Sequence, residues 1–211
     1  MSGIVAKKIE TYISGLDGRQ DPVRAEMEAL ARGSDFPIVG PQVGRLLGIL
    51  ARGIEARRVL ELGSGYGYSA LWFARALSNG GGVTCTDLST ENRDRALEFF
   101  RRAGVQDRVS FHVGDALAFA RTLAGPFDIV FNDIDKEHYP ESVSVVVPLL
   151  RVGGLFITDN VLWSGKVAAG GRPDAATAAI LEFNRAVSSR DDLETVILPL
   201  RDGVAVCQKI R

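Results

Sequence analysis

The sequence has little of several features that would assign it to a specialised class. It contains no run of about 18 apolar residues that could span a bilayer, and its first residues lack the apolar stretch of a signal peptide. Acidic and basic residues are interspersed along all 211 residues, with a net charge of -1, so no basic stripe could neutralise a row of phosphates. These absences favour a cytoplasmic protein that binds neither a membrane nor a nucleic acid, although they do not exclude an RNA substrate.

Cysteine is also scarce. Cys85 and Cys207 each lie within an apolar, β-rich run, which predicts two buried thiols rather than a disulfide or a metal site. No internal repeat, low-complexity tract or interdomain linker divides the chain. A composition of 46% hydrophobic and 24% charged residues is that of an ordinary globular protein. We therefore expect one domain, residues 1–211, with a sizeable core.

Hydrophobic periodicity separates a helical preface, residues 1–55, from a core, residues 56–211. The preface contains predicted helices near residues 3–15, 21–33 and 41–52. In the core, strand patterns alternate with helices that begin at Tyr68, Glu91, Ala116, Tyr139 and Ala175. This alternation predicts a Rossmann-like α/β fold, with a parallel sheet covered on both faces. Two final strand-like runs, separated only by residues 201–203, permit an antiparallel hairpin and no parallel crossover, which makes the sheet mainly parallel.

A glycine-rich loop, Gly63-Ser64-Gly65-Tyr66-Gly67, follows the first strand of the core and leads into a helix. Glycines allow a sharp turn and close approach of a ligand, and the helix N-terminus presents free N–H groups. A tight turn without a ligand is the alternative. Asp87 ends the second strand, where an acidic side chain takes both ribose hydroxyls of an adenosine cofactor.

Two further acids bear on the identity of that cofactor. Asp115 follows the third strand and could accept a hydrogen bond from an adenine amino group, or it could simply cap the next helix. Glu61 directly precedes the glycine loop, where it would repel the pyrophosphate of NAD. Because the loop also departs from the G-x-G-x-x-G pattern, the sequence favours a ligand that carries an ammonium and a sulfonium over NAD.

Four segments resemble one known family. They are VLELGSGYGYSALWFA, Asp87 itself, FDIVFNDIDKEHY and GGLFITDNVLWSGKV, within a similarity that runs from about Gln42 to the C-terminus. Together they resemble the cation-dependent O-methyltransferases, which include catechol O-methyltransferase and the plant caffeoyl-coenzyme A O-methyltransferases. The resemblance implies the class I methyltransferase strand order with seven strands, S-adenosylmethionine as the methyl donor, a catechol-like small-molecule acceptor and a homodimer. It also implies that the methionine portion of the cofactor is held by Glu61, Tyr68 and Ser69.

Three oxygen-bearing side chains follow neighbouring strands. Asp133 closes the fourth strand, and Asp159 with Asn160 closes the fifth, at the carboxyl edge where ligands bind in parallel sheets. Such ligands suit a hard divalent cation such as Mg²⁺, although the two acids could merely cap turns. The resemblance implies that these three side chains bind the metal, that Asp133 also contacts the cofactor, and that two neighbouring substrate oxygens complete the shell.

Lys136 matches the general-base lysine of the family and would accept the phenol proton; ordinary solvation is its alternative role. Asp135 and Glu137 receive no role, because alternation along an extended segment would point them away from the metal. Trp163 could wall the acceptor pocket or belong to the core. Two other functions remain open for the whole chain: methylation of RNA or a protein side chain, and cofactor binding without catalysis.

Overall fold

The predicted strands form a single seven-stranded sheet in the computed structural model, which describes residues 4–16, 18 and 21–211. The strand order is β3-β2-β1-β4-β5-β7-β6. The first five strands are parallel where they pair, and β7 runs antiparallel to both β5 and β6. The strands are β1 Arg58–Leu62, β2 Gly82–Asp87, β3 Val109–Val113, β4 Phe127–Asn132, β5 Leu150–Thr158, β6 Leu193–Leu198 and β7 Val204–Lys209. The predicted Rossmann-like fold is confirmed, including the terminal hairpin.

Helices connect the parallel strands, and polar side chains fix where several of them begin. Asp21, Ser89 and Asp174 each accept a hydrogen bond from a backbone N–H of the first turn of their helix. The first helix begins at Lys7, four residues after the predicted start; residues 1–3 lie outside the described part of the chain. The helices are α1 Lys7–Gly15, α2 Pro22–Ser34, α3 Gly40–Gly53, α4 Tyr68–Ala76, α5 Thr90–Arg102, α6 Ala116–Ala120, α7 Tyr139–Val146 and α8 Ala175–Ser189.

Apolar side chains cover both faces of the sheet. Val59 and Leu60 are consecutive in β1 and are both fully buried, but they belong to different clusters, one on each side. This explains the near-continuous apolar runs of the central strands. Cys85 and Cys207 are buried and free, as predicted. Among the described residues, no helix has both the length and the hydropathy needed to cross a bilayer.

Candidate active site

The glycine loop lies between β1 and α4 in a conformation that glycine alone adopts without strain. Gly63 and Gly67 have φ values of 81° and 85°. A Cβ on Gly63 would come within 2.4 Å of the backbone oxygen of Asp133, and one on Gly67 within 2.4 Å of the Phe100 ring. The loop is therefore pressed against the end of β4 on one side and against α5 on the other.

The carboxylate of Asp87 organises this loop. Its Oδ2 accepts from the backbone N–H of Gly65 at 2.9 Å, and its Oδ1 accepts from the N–H of Ser89 at 2.9 Å and from Asn92 Nδ2 at 3.0 Å. Ser64 is held by β2, because its hydroxyl accepts the N–H of Thr86 at 3.2 Å. Asp87 thus lies beside the loop, as the ribose role requires, and also holds the loop in shape.

The predicted methionine-binding residues are buried beneath the loop. Glu61 is fully buried, and neither carboxylate oxygen has a hydrogen bond of acceptable geometry. Burial raises the pKa of Glu61 to about 7, against the opposing effect of the neighbouring Ser64 and Ser69 hydroxyls. The hydroxyl of Tyr68 points to the preface instead, where it donates to Glu28 at 2.7 Å. The backbone of Tyr68 therefore lies at the loop, whereas its hydroxyl points away from the loop.

Asp115 is the N-cap of α6. Its Oδ1 accepts from the backbone N–H of Ala118 at 2.6 Å, and the residue is exposed. The structure therefore shows Asp115 in its alternative role, as a helix cap. A carboxylate has further lone pairs, so this contact leaves the other oxygen available to a ligand.

Two acids meet at the carboxyl edge of the sheet. Asn132 and Thr158 are paired across β4 and β5, and the next residue of each strand is an acid, Asp133 and Asp159 respectively. Adjacent strands are only about 4.8 Å apart. Burial, reinforced by the charge of Asp133, raises the pKa of Asp159 to about 7. Burial also raises the pKa of Asp133, although the nearby ammonium of Lys136 opposes that rise.

This pair of acids fits a divalent cation. Asp159 is 4% exposed, and its Oδ1 has no hydrogen-bond partner. A buried carboxylate beside a second acid is costly unless a cation neutralises it. Asn160, the third predicted metal ligand, follows directly in a left-handed conformation with a φ of 58°. The described ranges contain no group of three or more His, Cys, Asp or Glu side chains that is arranged for a metal.

Lys136 lies beside the two acids, and its position depends on the turn in which it lies. Residues 136–138 form a 3₁₀ turn, so the predicted extended conformation is wrong. The turn directs Lys136 Nζ to Asp133 Oδ1 at 3.0 Å and to the hydroxyl of Tyr139 at 2.7 Å. Asp135 and Glu137 are nevertheless exposed. Trp163 is partly buried, and the centre of its ring is 5.9 Å from Nζ.

Two residues that sequence analysis passed over belong to this site. The fully buried Tyr139 accepts from Lys136 and donates its own proton to the backbone oxygen of Asp159 at 2.9 Å. It therefore joins the lysine to the end of β5. Arg201, in the turn between β6 and β7, is close enough for its charge to act on both acids. Only the Lys136–Tyr139 spacing, which suits one helical turn, could have signalled either residue.

The family of this chain follows from its similarity to known proteins. The sequence model described as O-methyltransferase matches residues 27–210. The chain belongs to the O-methyltransferase family. Among curated relatives, the caffeoyl-CoA O-methyltransferase of Eucalyptus gunnii is 34% identical over 181 residues, which cover 80% of this chain and 72% of that protein. A caffeoyl-CoA O-methyltransferase of Pinus taeda is also 34% identical and is covered over 69% of its length.

Solved structures agree with this assignment. The O-methyltransferase TomG from Streptomyces achromogenes, involved in tomaymycin synthesis and solved in complex with SAM, has a TM-score of 0.88 and 31% identity, with 97% of this chain and 96% of that chain covered. An O-methyltransferase from Bacillus cereus in complex with SAH has a TM-score of 0.87 and 28% identity, with 96% and 97% covered. The predicted O-methyltransferase activity is thereby confirmed at the level of the family.

Proposed function

We propose that this O-methyltransferase uses S-adenosylmethionine to methylate one hydroxyl of a catechol-like small molecule, with a divalent cation, Mg²⁺ by preference, chelating both hydroxyls. One observation carries the proposal. Asp133 and Asp159 directly follow neighbouring strands, Asp159 is buried, and one of its oxygens has no hydrogen-bond partner among the described residues. A site of this kind is stabilised by a dication that two vicinal oxygens of an acceptor can share.

The methyl donor is supported by the loop and by the solved relatives. The structures from Streptomyces achromogenes and Bacillus cereus were solved in complex with SAM and SAH respectively. In this chain, Asp87 lies beside the glycine loop, where it could bind a ribose, and Glu61 is a buried carboxylate without a well-formed hydrogen bond among the described residues, suited to an ammonium. The hydroxyls of Ser64 and Ser69 are neighbours of the Glu61 carboxylate, and Gly67 and Asp115 would complete the cofactor site.

The chain's own residues then prepare the acceptor. Asp133, Asp159 and Asn160 would hold the cation, which when bound lowers the pKa of a coordinated hydroxyl. Lys136 Nζ stands 3.0 Å from Asp133 Oδ1, and as a neutral amine, after loss of its own proton to solvent, it would accept the hydroxyl proton of the acceptor. Tyr139 fixes the position of Nζ at 2.7 Å. Alignment of oxygen, methyl carbon and sulfur in line would be the main contribution of the protein.

Acceptor chelation is tested with matched substrates. Methyl transfer from labelled S-adenosylmethionine should occur to catechol in the presence of Mg²⁺ and should be lost in excess EDTA. Phenol, which cannot chelate, should not be methylated under either condition. Equal methylation of catechol and phenol, or full activity without metal, would exclude the chelation mechanism while leaving methyl transfer itself intact. Methylation of RNA or a protein in place of both would point to the other acceptor classes.

A further inference from the structure

Arg201 lies at the rim of the candidate site and has no anionic partner among the described residues. It occupies the turn between β6 and β7 and is exposed. Its Nη1 donates to the backbone oxygen of Ile38 at 2.7 Å. No other hydrogen bond joins its guanidinium to the described residues, and none of their carboxylate oxygens lies within 4.0 Å of its nitrogen atoms. As far as the described part of the chain is concerned, the Nε–H and the Nη2–H are therefore available to a ligand.

The turn that carries Arg201 is fixed to the acceptor side of the site. The backbone oxygens of Asp202 and Gly203 accept from the N–H groups of Leu162 and Val161, at 2.9 and 3.1 Å. These two residues directly follow the Asp159–Asn160 pair. A carboxylate oxygen of Asp202 also accepts from the N–H of Ser164, the neighbour of Trp163. The turn and the segment that follows β5 consequently form one hydrogen-bonded unit.

The guanidinium is also held from the preface. A Cβ on Gly40 would come within 2.6 Å of Nη1 and 3.0 Å of Cζ, so the group rests directly on this glycine. The contact to Ile38 uses Nη1 and leaves the Nε and Nη2 edge, which matches the two oxygens of a carboxylate.

We propose that Arg201 is a specificity residue that binds a carboxylate on the acceptor, so that this enzyme prefers catechols bearing an acidic side group. The inference rests on the proposed function for the diol end of the acceptor. The carboxylate would lie on the Nε and Nη2 edge while the diol lies toward Asp133 and Asp159. A two-pronged, charge-assisted contact of this kind raises affinity on the order of tenfold or more.

Binding to a matched pair of ligands tests this proposal. Protocatechuate carries a diol and a carboxylate, and its primary amide carries the same diol with a neutral group. Calorimetric titration of both, with Mg²⁺ present, should show that the wild-type protein binds the acid at least about tenfold more tightly. Arg201→Gly should abolish that preference, so that the acid and the amide bind with similar affinity. Arg201→Lys, which keeps the charge without the planar edge, should fall between them.

The glycine variant separates recognition from folding. Arg201 has a φ of 50°, in the left-handed region that glycine adopts without strain, so the substitution should not weaken the turn. Glu55→Gly is the control, because Glu55 is an exposed residue with a φ of 53° at the amino end of β1, away from the site. It should leave both affinities unchanged.

Each outcome decides between the claims. Equal wild-type affinity for acid and amide, binding of neither ligand, or an equal loss for both in Arg201→Gly would overturn the role of Arg201. If the wild-type protein prefers the acid through Arg201 but methylates neither ligand, the proposed function fails and the carboxylate site stands. If both ligands are methylated equally well with or without Arg201, the function stands and the specificity residue is wrong.

Discussion

Glu61 should make the free energy of unfolding depend on pH. Burial raises its pKa from 4.5 to about 7, and one pKa unit corresponds to about 1.4 kcal/mol. The folded protein therefore retains a proton that the unfolded chain releases, and stability falls as pH rises from about 4.5 to about 7. Above that range the ionised Glu61 costs about 3 kcal/mol, a cost that Glu61→Gln does not carry.

Urea denaturation of wild type and Glu61→Gln at pH 5 and pH 8 measures this difference. The stability of the variant relative to wild type should be about 2 to 3 kcal/mol greater at pH 8 than at pH 5. Other titrating groups cancel to first order, because both proteins contain them. Glu194→Gln, which alters an exposed carboxylate in β6, should show no such change. A relative stability of Glu61→Gln that is the same at both pH values would refute the reasoning.

Three further substitutions test the site and the loop. Lys136→Ala should lower kcat by roughly a hundredfold or more and leave the affinity for the cofactor unchanged. Steady-state kinetics and a cofactor titration measure the two effects, and a loss of cofactor binding would contradict the catalytic role. Tyr139→Phe removes the hydroxyl that accepts a hydrogen bond from Lys136 Nζ at 2.7 Å, and it should lower kcat roughly tenfold. An unchanged kcat would exclude a positioning role for Tyr139. Gly67→Ala should lower the free energy of unfolding by about 2 to 4 kcal/mol, because the new Cβ would meet the Phe100 ring. Gly80→Ala is the control, since Gly80 has a φ of 77° but no neighbouring atom at its Cβ position, and it should cost about 1 kcal/mol. Equal shifts in the melting temperature of the two variants would contradict this.

The fold and the strand-end residues could be predicted because they depend on local pattern. Strand periodicity places Asp87, Asp133 and Asp159 at one edge of a parallel sheet without any knowledge of side-chain contacts. The same reasoning identified Cys85 and Cys207 as core residues. Patterns of period 2 and period 3.6 specify which face of each element is buried, and little else is needed for this part of the site.

Contacts between distant segments could not be predicted in this way. Arg201 reaches Ile38 across 163 residues, and nothing in the turn sequence indicates that contact. Tyr68 points to Glu28 because α2 packs nearby, which depends on how the preface docks. Tyr139 was missed because the turn at residues 136–138 was predicted as extended, and its 3₁₀ conformation brings the hydroxyl to Nζ. Single-residue propensities are too weak to specify such a turn.

The central claim is that the side chains of Asp133, Asp159 and Asn160 hold a divalent cation. Mn²⁺ prefers the same oxygen ligands as Mg²⁺, and its free and bound forms differ in electron paramagnetic resonance. Titration of the wild-type protein should show one bound Mn²⁺ per chain, with binding at least about tenfold weaker in Asp159→Asn. Saturable binding of equal affinity in both proteins, or none in the wild type, would contradict the account.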